Sequence, residues 1–195
     1  MSSTLVADWF GSKFTDLHPL LQQLHKHGGQ LTGSVEVDIP NGIAGKFGVR
    51  LARKVGIPST GRTHKLVVTI SHHADGLHWD RCFDDQTTMK SVFKPVGTLP
   101  GGYWIESTGP LRLYPTVEIK DGGWHWRCLK MKMGNWSLPL WLFPGTSAFK
   151  SIESGQYRFY VGFNLPLFGT ILSYSGLLTA STLENAHIGF DTLAH

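Results

Sequence analysis

Asp75-Gly76-Leu77-His78-Trp79-Asp80-Arg81-Cys82-Phe83 is a stretch that the chain repeats in altered form as Asp121-Gly122-Gly123-Trp124-His125-Trp126-Arg127-Cys128-Leu129. Each copy places an Asp-Gly pair between two runs in which apolar and polar residues alternate. This pattern is typical of a β-hairpin with a tight primed turn. We therefore predict hairpins over residues 72–83 and 117–129, whose second strands each carry a His-Trp pair, an arginine and a cysteine.

Alternation with a period of two continues in nearly every segment after Lys65 and indicates about ten strands. Most are joined by short turns, so neighbouring strands should be antiparallel. A sheet of this length hides its edges by curling or by closing on itself. We predict a mainly β fold, a curled sheet or barrel-like (calycin-like) architecture with two short N-terminal helices.

Helical periodicity is confined to the first 60 residues. Asp16 is predicted to cap a helix that runs to about His25, and the histidines there are expected to be solvated. A second helix is predicted over residues 42–55. Its buried side would carry Ile43, Phe47, Leu51 and Val55, and its solvated side Lys46, Arg50, Arg53 and Lys54.

The length of 195 residues suits one domain, 1–195, because all-β barrels of this size are common. Within it we expect a helical cap region with the first strand at 15–57, the antiparallel sheet at 65–180 and a loose tail at 183–195. The N-terminus lacks the features of a signal peptide, and no apolar run reaches the roughly 18 residues of a membrane span. We therefore expect a soluble, cytoplasmic protein with reduced cysteines.

No stretch carries a decisive catalytic motif. The chain lacks a Rossmann or phosphate-loop glycine pattern, a Gly-x-Ser-x-Gly elbow, a Cys-x-x-Cys pair and a His-Glu-x-x-His pair. We therefore predict no cofactor, no metal site and no catalytic residues, and we favour a protein that is not an enzyme. The basic run of residues 46–65 has no aromatic stacking platform interleaved in it, so nucleic acid is not the expected partner.

Arg81 stands between Trp79 and Phe83 on one face of a predicted strand. If that face points inward, a guanidinium enters an apolar barrel, where a charge is costly unless paired. Three roles are open for Arg81: a grip on a ligand's carboxylate, an internal pair with Glu106, or a solvent-exposed position. The predicted ligand-binding residues are Trp79, Arg81, Phe83, Tyr103, Glu106, Tyr114 and Trp126.

Several short motifs spread along the chain resemble one family. They are Trp79-x-Arg81-x-Phe83, Gly102-x-x-x-Glu106-x-x-Gly109-Pro110-x-Arg112-Leu113, Leu138-Pro139-x-x-Leu142-x-Pro144 and Gly169-x-x-x-x-Tyr174-x-Gly176-x-Leu178. Together they resemble the bacterial domain of unknown function 4166 family, whose members occur alone or fused behind a reductase domain similar to saccharopine dehydrogenase. The resemblance implies a bacterial accessory domain and supplies no catalytic residues. Lys150 departs from it, since the resemblance leads us to expect an acidic residue there.

Three functional hypotheses follow. The leading one is non-catalytic binding of a small apolar or amphipathic anion, such as a carboxylate, in a barrel-like pocket. The second is an interaction module that docks on a partner reductase, or on an anionic membrane through Lys46, Arg50, Arg53 and Lys54, together with the apolar loop Pro139–Pro144. The third is an enzyme that acts with a redox partner.

Overall fold

The computed structural model describes residues 4–139 and 147–182. Its helical elements are α1 (Leu5–Phe10), a 3-10 helix (Gly11–Asp16), α2 (Pro19–His27) and α3 (Gly42–Val55). Its strands are β1 (Gly29–Asp38), β2 (Thr63–His73), β3 (Gly76–Phe83), β4 (Thr87–Val96), β5 (Tyr103–Thr108), β6 (Leu111–Lys120), β7 (Gly123–Met133), β8 (Trp136–Leu138), β9 (Ser147–Glu153), β10 (Gln156–Leu165) and β11 (Gly169–Thr182).

Ten of these strands form a closed antiparallel barrel, which confirms the predicted fold class. The order around the barrel is β1 to β7 in sequence, then β9, β10 and β11, and β11 pairs with β1. The seam between β7 and β9 is short, with Trp124, His125 and Trp126 opposite Lys150, Phe149 and Ala148. β8 only extends β7 as a small hairpin.

Helices α1 and α2 close the end of the barrel at which the two repeated stretches turn. The Phe10 ring lies 4.6 Å from that of Trp124, and the His18 N–H donates to the Gly122 carbonyl across the second turn. Val6, Trp9, Phe10, Leu21 and Leu24 are all buried there. The N-cap of α2 is His18, whose Nδ1 accepts from the Leu20 N–H, and not Asp16 as predicted.

Helix α3 crosses the opposite end, from Ile171 at the start of β11 to Thr88 at the start of β4. The prediction of which residues lie on the buried side of α3 was partly wrong. Gly45 and Gly48 are buried against other parts of the backbone, whereas Ile43 and Phe47 are 63% and 43% exposed. A Cβ on Gly48 would stand 1.9 Å from the Ile171 carbonyl oxygen. Because glycine has no Cβ, this side of α3 can pack directly on the backbone, and Ile43 and Phe47 then point outward.

The two repeated stretches form the two predicted hairpins with different turns. Asp121 and Gly122 have positive φ values of 50° and 70° and occupy the two turn positions, as a primed turn requires. In the first hairpin, His73 pairs with Gly76, so the two turn residues are Ala74 and Asp75. Gly76 is the first residue of β3, and the predicted Asp-Gly turn was displaced by one residue.

None of the helices in the described ranges combines the length and apolar character needed to cross a membrane.

Candidate functional site

A cavity of about 90 Å³ lies inside the barrel, between the two capped ends. Its walls are mostly apolar and come from all ten barrel strands. The apolar lining includes Leu31, Leu66, Val68, Met89, Leu113, Phe159, Phe163 and Leu178. One acidic and two basic side chains also line it, namely Glu106 from β5, Arg81 from β3 and Lys150 from β9. A pocket with apolar walls and a few convergent polar groups is the usual form of a small-molecule site.

Alternation along β3 places Trp79, Arg81 and Phe83 on one face, as predicted, and in the structure this face points inward. Arg81 is only 9% exposed, which rules out the solvent-exposed alternative. Its guanidinium carbon lies 5.4 Å from the centroid of the Trp79 ring, and Nη1 donates to Ser91 Oγ at 2.9 Å. No carboxylate among the described residues lies within ion-pair distance of this guanidinium.

Glu106 is connected to Arg81 indirectly, through two hydroxyl groups. Thr108 Oγ1 donates to Glu106 Oε1 at 3.4 Å, so the 2.6 Å contact between Ser91 and Thr108 must have Ser91 as its donor. The chain of donors therefore runs from Arg81 to Glu106. The predicted internal pair is replaced by this relay, which leaves other N–H groups of Arg81 for a ligand.

Burial is the largest influence on Glu106 and raises the pKa of its carboxyl group, while Arg81 and the two hydroxyl groups oppose the shift. The side chain keeps some accessible area, as expected for a carboxyl group on a cavity wall. A raised pKa increases the protonated fraction of Glu106. A protonated Glu106 would not repel an anion that enters beside Arg81.

Lys150 is the second buried cation of the cavity and is 5% exposed. Its Nζ lies 3.9 Å from the ring centroid of Trp124, 4.4 Å from Trp79 and 5.5 Å from Trp126. Nζ also lies 2.8 Å from Nε2 of His25, which α2 buries completely. The predicted solvated His25 is therefore wrong, because α2 turns this side chain into the barrel.

The hydrogen bonds of His25 fix its tautomer. Nδ1 lies 2.8 Å from the carbonyl oxygen of Leu21, which can only accept, so Nδ1 carries the proton. Nε2 of the neutral ring then accepts an N–H from Lys150. Burial lowers the pKa of His25 well below 6.5, and the neighbouring Lys150 lowers it further.

Burial also lowers the pKa of the Lys150 ammonium well below 10.5. The positive charge of Arg81 acts in the same direction, and Glu106 opposes it. The three indole faces attract a cation, but they also exclude the water that would otherwise stabilise it. The amine form of Lys150 is thereby favoured far more than in a surface lysine.

Four of the seven predicted binding residues line the cavity, namely Trp79, Arg81, Glu106 and Trp126. Phe83 is fully buried and packs on Tyr174 with ring centroids 6.2 Å apart, outside the lining. Tyr103 and Tyr114 face away from the cavity and contact each other at 6.1 Å, because they alternate with the inward residues of β5 and β6. Phe83, Tyr103 and Tyr114 therefore do not line the cavity.

The site contains residues that the sequence did not reveal, above all Lys150, His25, Ser91 and Thr108. Lys150 shares a strand face with Ala148 and Ile152, so a lysine in an apolar row was the available signal. His25 gave no such signal, since a histidine in the last turn of a helix is usually solvated.

Cys82 and Cys128 are both free thiols. Cys82 lies on the outer face of β3, whereas Cys128 lines the cavity from β7. Within the described parts of the chain, no group of three or more His, Cys, Asp or Glu side chains is arranged to hold a metal ion. The polar groups that line the cavity are a guanidinium, an amine, a carboxyl group, the thiol of Cys128 and the hydroxyls of Thr108, Tyr157 and Tyr174. Such a set can bind an anion and transfer protons.

The chain belongs to the DUF4166 family, described as a domain of unknown function, whose model matches residues 17–178. The matched range includes α2, all ten barrel strands over most of their length, and every cavity residue named above. No curated protein and no solved structure matches the chain at a significant level.

Proposed function

We propose that this domain binds a small carboxylate inside the barrel, with the carboxylate on Arg81 and the apolar part against the surrounding walls. The observation that carries this proposal is a buried guanidinium on a cavity wall without a carboxylate partner among the described residues. A guanidinium presents a planar fork of N–H donors that matches the two oxygens of a carboxylate.

The volume of the cavity limits the size of the ligand. An apolar cavity of about 150 Å³ in another protein accommodates benzene, and this one is about 90 Å³. The proposed ligands are therefore short acids of about two to four carbons. The ring of Trp79 lies close to both Arg81 and Lys150 and offers the apolar part of such an acid a flat surface.

Ligand-observed NMR with acetate, propionate and butyrate tests the proposal. We expect saturable binding of at least one acid to the wild-type protein. Arg81→Leu should remain folded, since it removes a buried charge, and should bind at least tenfold more weakly. Arg112→Leu is the matched control, because Arg112 is exposed on the outside of β6. Absence of saturable binding to the wild type would show that the proposal is wrong.

A second candidate function concerns the outer surface of α3. Phe47 lies 5.9 Å from Phe168 in the turn between β10 and β11, and Leu167 in that turn is fully exposed. With Ile43 they form an exposed apolar patch, which we call the α3 patch. The exposed basic residues of the same helix are Lys46, Arg50, Arg53 and Lys54.

We infer that the α3 patch contacts an anionic membrane surface, because apolar side chains beside basic ones combine burial with electrostatic attraction. Co-sedimentation with phosphatidylserine vesicles should be strong in low salt and weak with phosphatidylcholine. Phe47→Ser should reduce it, whereas Trp136→Ser, at an exposed tryptophan on β8, should not. Equal sedimentation of the Phe47 variant and the wild type would contradict the inference. Failure of the wild type to sediment would overturn it.

A further inference from the structure

We propose that Lys150 is a carbonyl-reactive amine, which forms an imine with a small oxo acid bound in the barrel cavity. The substrate class is an aldehyde or ketone that also carries a carboxylate. This inference rests on the proposed function, because Arg81 holds that carboxylate. It adds a covalent step to what is otherwise a binding site.

The position of Lys150 is the first support. The side chain extends from β9 into the interior, lines the main cavity and is 5% exposed. Its one hydrogen bond within the described structure is the N–H that it donates to His25 Nε2. Since neutral His25 has no N–H at Nε2, it does not block the lone pair of an amine at Lys150.

The surroundings of Lys150 are those that favour a free amine. Three indole rings enclose Nζ. No carboxylate of the described residues lies within ion-pair distance of it. A lysine that is desolvated next to another cation is activated as a nucleophile, because both influences favour its uncharged form. A structural ammonium would be expected to have a closer carboxylate.

Arg81 and Lys150 are arranged to hold two ends of one small molecule. Both contact the ring of Trp79, at 5.4 Å from the guanidinium carbon and 4.4 Å from the amine nitrogen. A carboxylate held by Arg81 therefore places the remaining carbons of a short oxo acid beside this ring and near the amine. Holding the two reactants together in this way accelerates their reaction.

The step balances without an oxidant or a reductant. The lone pair of Lys150 Nζ forms a bond to the carbonyl carbon, and the carbonyl π electrons move to the oxygen. The oxygen then leaves as water with the two protons that the nitrogen carried, and a C=N double bond remains. Glu106 lines the same cavity and, with its raised pKa, is a carboxyl group able to give a proton to the departing oxygen and to receive one from the nitrogen in return.

Reductive trapping tests the inference on the full chain. The protein is incubated near pH 7 with glyoxylate or pyruvate and sodium cyanoborohydride, and the adduct is counted by intact mass and located by peptide mapping. We expect one adduct, on Lys150. Surface lysines should react at least tenfold more slowly, because nearly all of their amines are protonated at this pH.

Three variants sharpen the test. Lys150→Met should lose the adduct, whereas Lys46→Met, at an exposed lysine of α3, should keep it. Arg81→Leu should trap glyoxylate at least tenfold more slowly. It should slow the trapping of propanal, which has no carboxylate, much less, because only the influence of Arg81 on the Lys150 amine is then lost. If Lys150→Met does not fold, the mapped position of the adduct in the wild type still decides the question.

Failures of the two proposals give different results. Saturable binding of propionate without a mapped adduct on Lys150 would overturn the imine and leave carboxylate binding in place. An adduct on Lys150 that forms equally fast with glyoxylate and propanal would support the amine but contradict the role of Arg81. An adduct spread over surface lysines would overturn the inference, since Lys150 would then be no more reactive than they are.

Discussion

Lys150 and His25 share one hydrogen bond, and the proton on His25 Nδ1 determines its direction. The Leu21 carbonyl can only accept, so Nδ1 carries a proton, and burial keeps the ring neutral by lowering its pKa. Lys150 is therefore the donor to Nε2. Both the amine and the ammonium form of Lys150 can donate this hydrogen bond to His25 Nε2. The charge of Lys150 is therefore decided by its surroundings, where burial and Arg81 outweigh Glu106.

The pH dependence of stability reports this charge. The unfolded chain binds a proton on Lys150 up to its ordinary pKa of 10.5, whereas the folded chain releases it at a much lower pH. The unfolded state therefore holds more protons between these values, and the free energy of unfolding rises with pH in that window. The slope has an upper limit of about 1.4 kcal/mol per pH unit.

Urea unfolding of the wild type and Lys150→Met at pH 7, 8 and 9 measures the effect. The wild type should gain stability relative to Lys150→Met as pH rises, because the variant has no such group. Lys46→Met should follow the wild type, since its lysine is exposed. Parallel curves for the wild type and Lys150→Met would mean that the folded protein keeps Lys150 charged.

At the scale of elements, α3 depends on two glycines that look unfavourable in a helix. Gly48→Ala should raise intrinsic helix propensity by about 1 kcal/mol. The new Cβ, however, would stand 1.9 Å from the Ile171 carbonyl oxygen, which is backbone and cannot move aside. We expect a net loss of about 1–3 kcal/mol, typical of overpacking.

Urea unfolding checks this expectation, with Lys46→Ala as the control on the exposed side of the same helix. That control should change the free energy of unfolding by less than about 0.5 kcal/mol. A stabilised Gly48→Ala variant would mean that α3 does not pack on β11 through its glycines.

The two hairpins give a second prediction at this scale. Gly122 occupies a left-handed turn position, at φ +70°, with its nearest neighbouring atom 3.3 Å from an added Cβ. Gly76 begins β3 at φ +146°, where an added Cβ would lie 2.5 Å from the Phe93 carbonyl oxygen. Asparagine tolerates the left-handed region but still carries a Cβ.

Gly122→Asn should therefore cost less than about 1 kcal/mol. Gly76→Asn should cost about 1–3 kcal/mol, because the Phe93 carbonyl is in the way. Melting temperatures of the two variants show the difference directly. Equal losses at both positions would indicate that Gly76 serves as a turn residue, as its sequence suggests, and not as a point of close strand contact.

These elements show why part of the structure could be predicted and part could not. The inner face of β3 followed from alternation, since the direction of a side chain along a strand is a local property. The buried side of α3 did not follow from its apolar residues, because the contact at Gly48 depends on a carbonyl more than 120 residues away. Lys150 was missed for the same reason, since closure of the barrel brings Trp79 and Trp124 to it.

At the scale of the whole molecule, the barrel is closed unevenly. The seam between β1 and β11 has ten residue pairs, from Gly29 opposite Thr182 to Asp38 opposite Ser173. The seam between β7 and β9 has three, and Lys150 and Ala148 at this seam both line the cavity. Opening this short seam would expose the cavity while most of the barrel remains paired.

Hydrogen exchange measured by mass spectrometry tests this difference in stability. Local opening has a lower free energy where fewer backbone hydrogen bonds must break together. Peptides that contain residues 147–153 should therefore exchange faster than peptides that contain residues 29–38 or 170–182. Exchange at equal rates in all three would mean that the barrel opens only as a whole.

A bound acid should slow hydrogen exchange at the short seam between β7 and β9. A ligand that binds the closed barrel and not the open one stabilises the closed form by mass action. Propionate at saturating concentration should therefore slow exchange in residues 147–153 more than in 29–38. Arg81→Leu should lose this protection because it loses the ligand, while Arg112→Leu should retain it. Protection that is uniform along the chain would place the route of entry elsewhere, such as the end of the barrel that α3 covers.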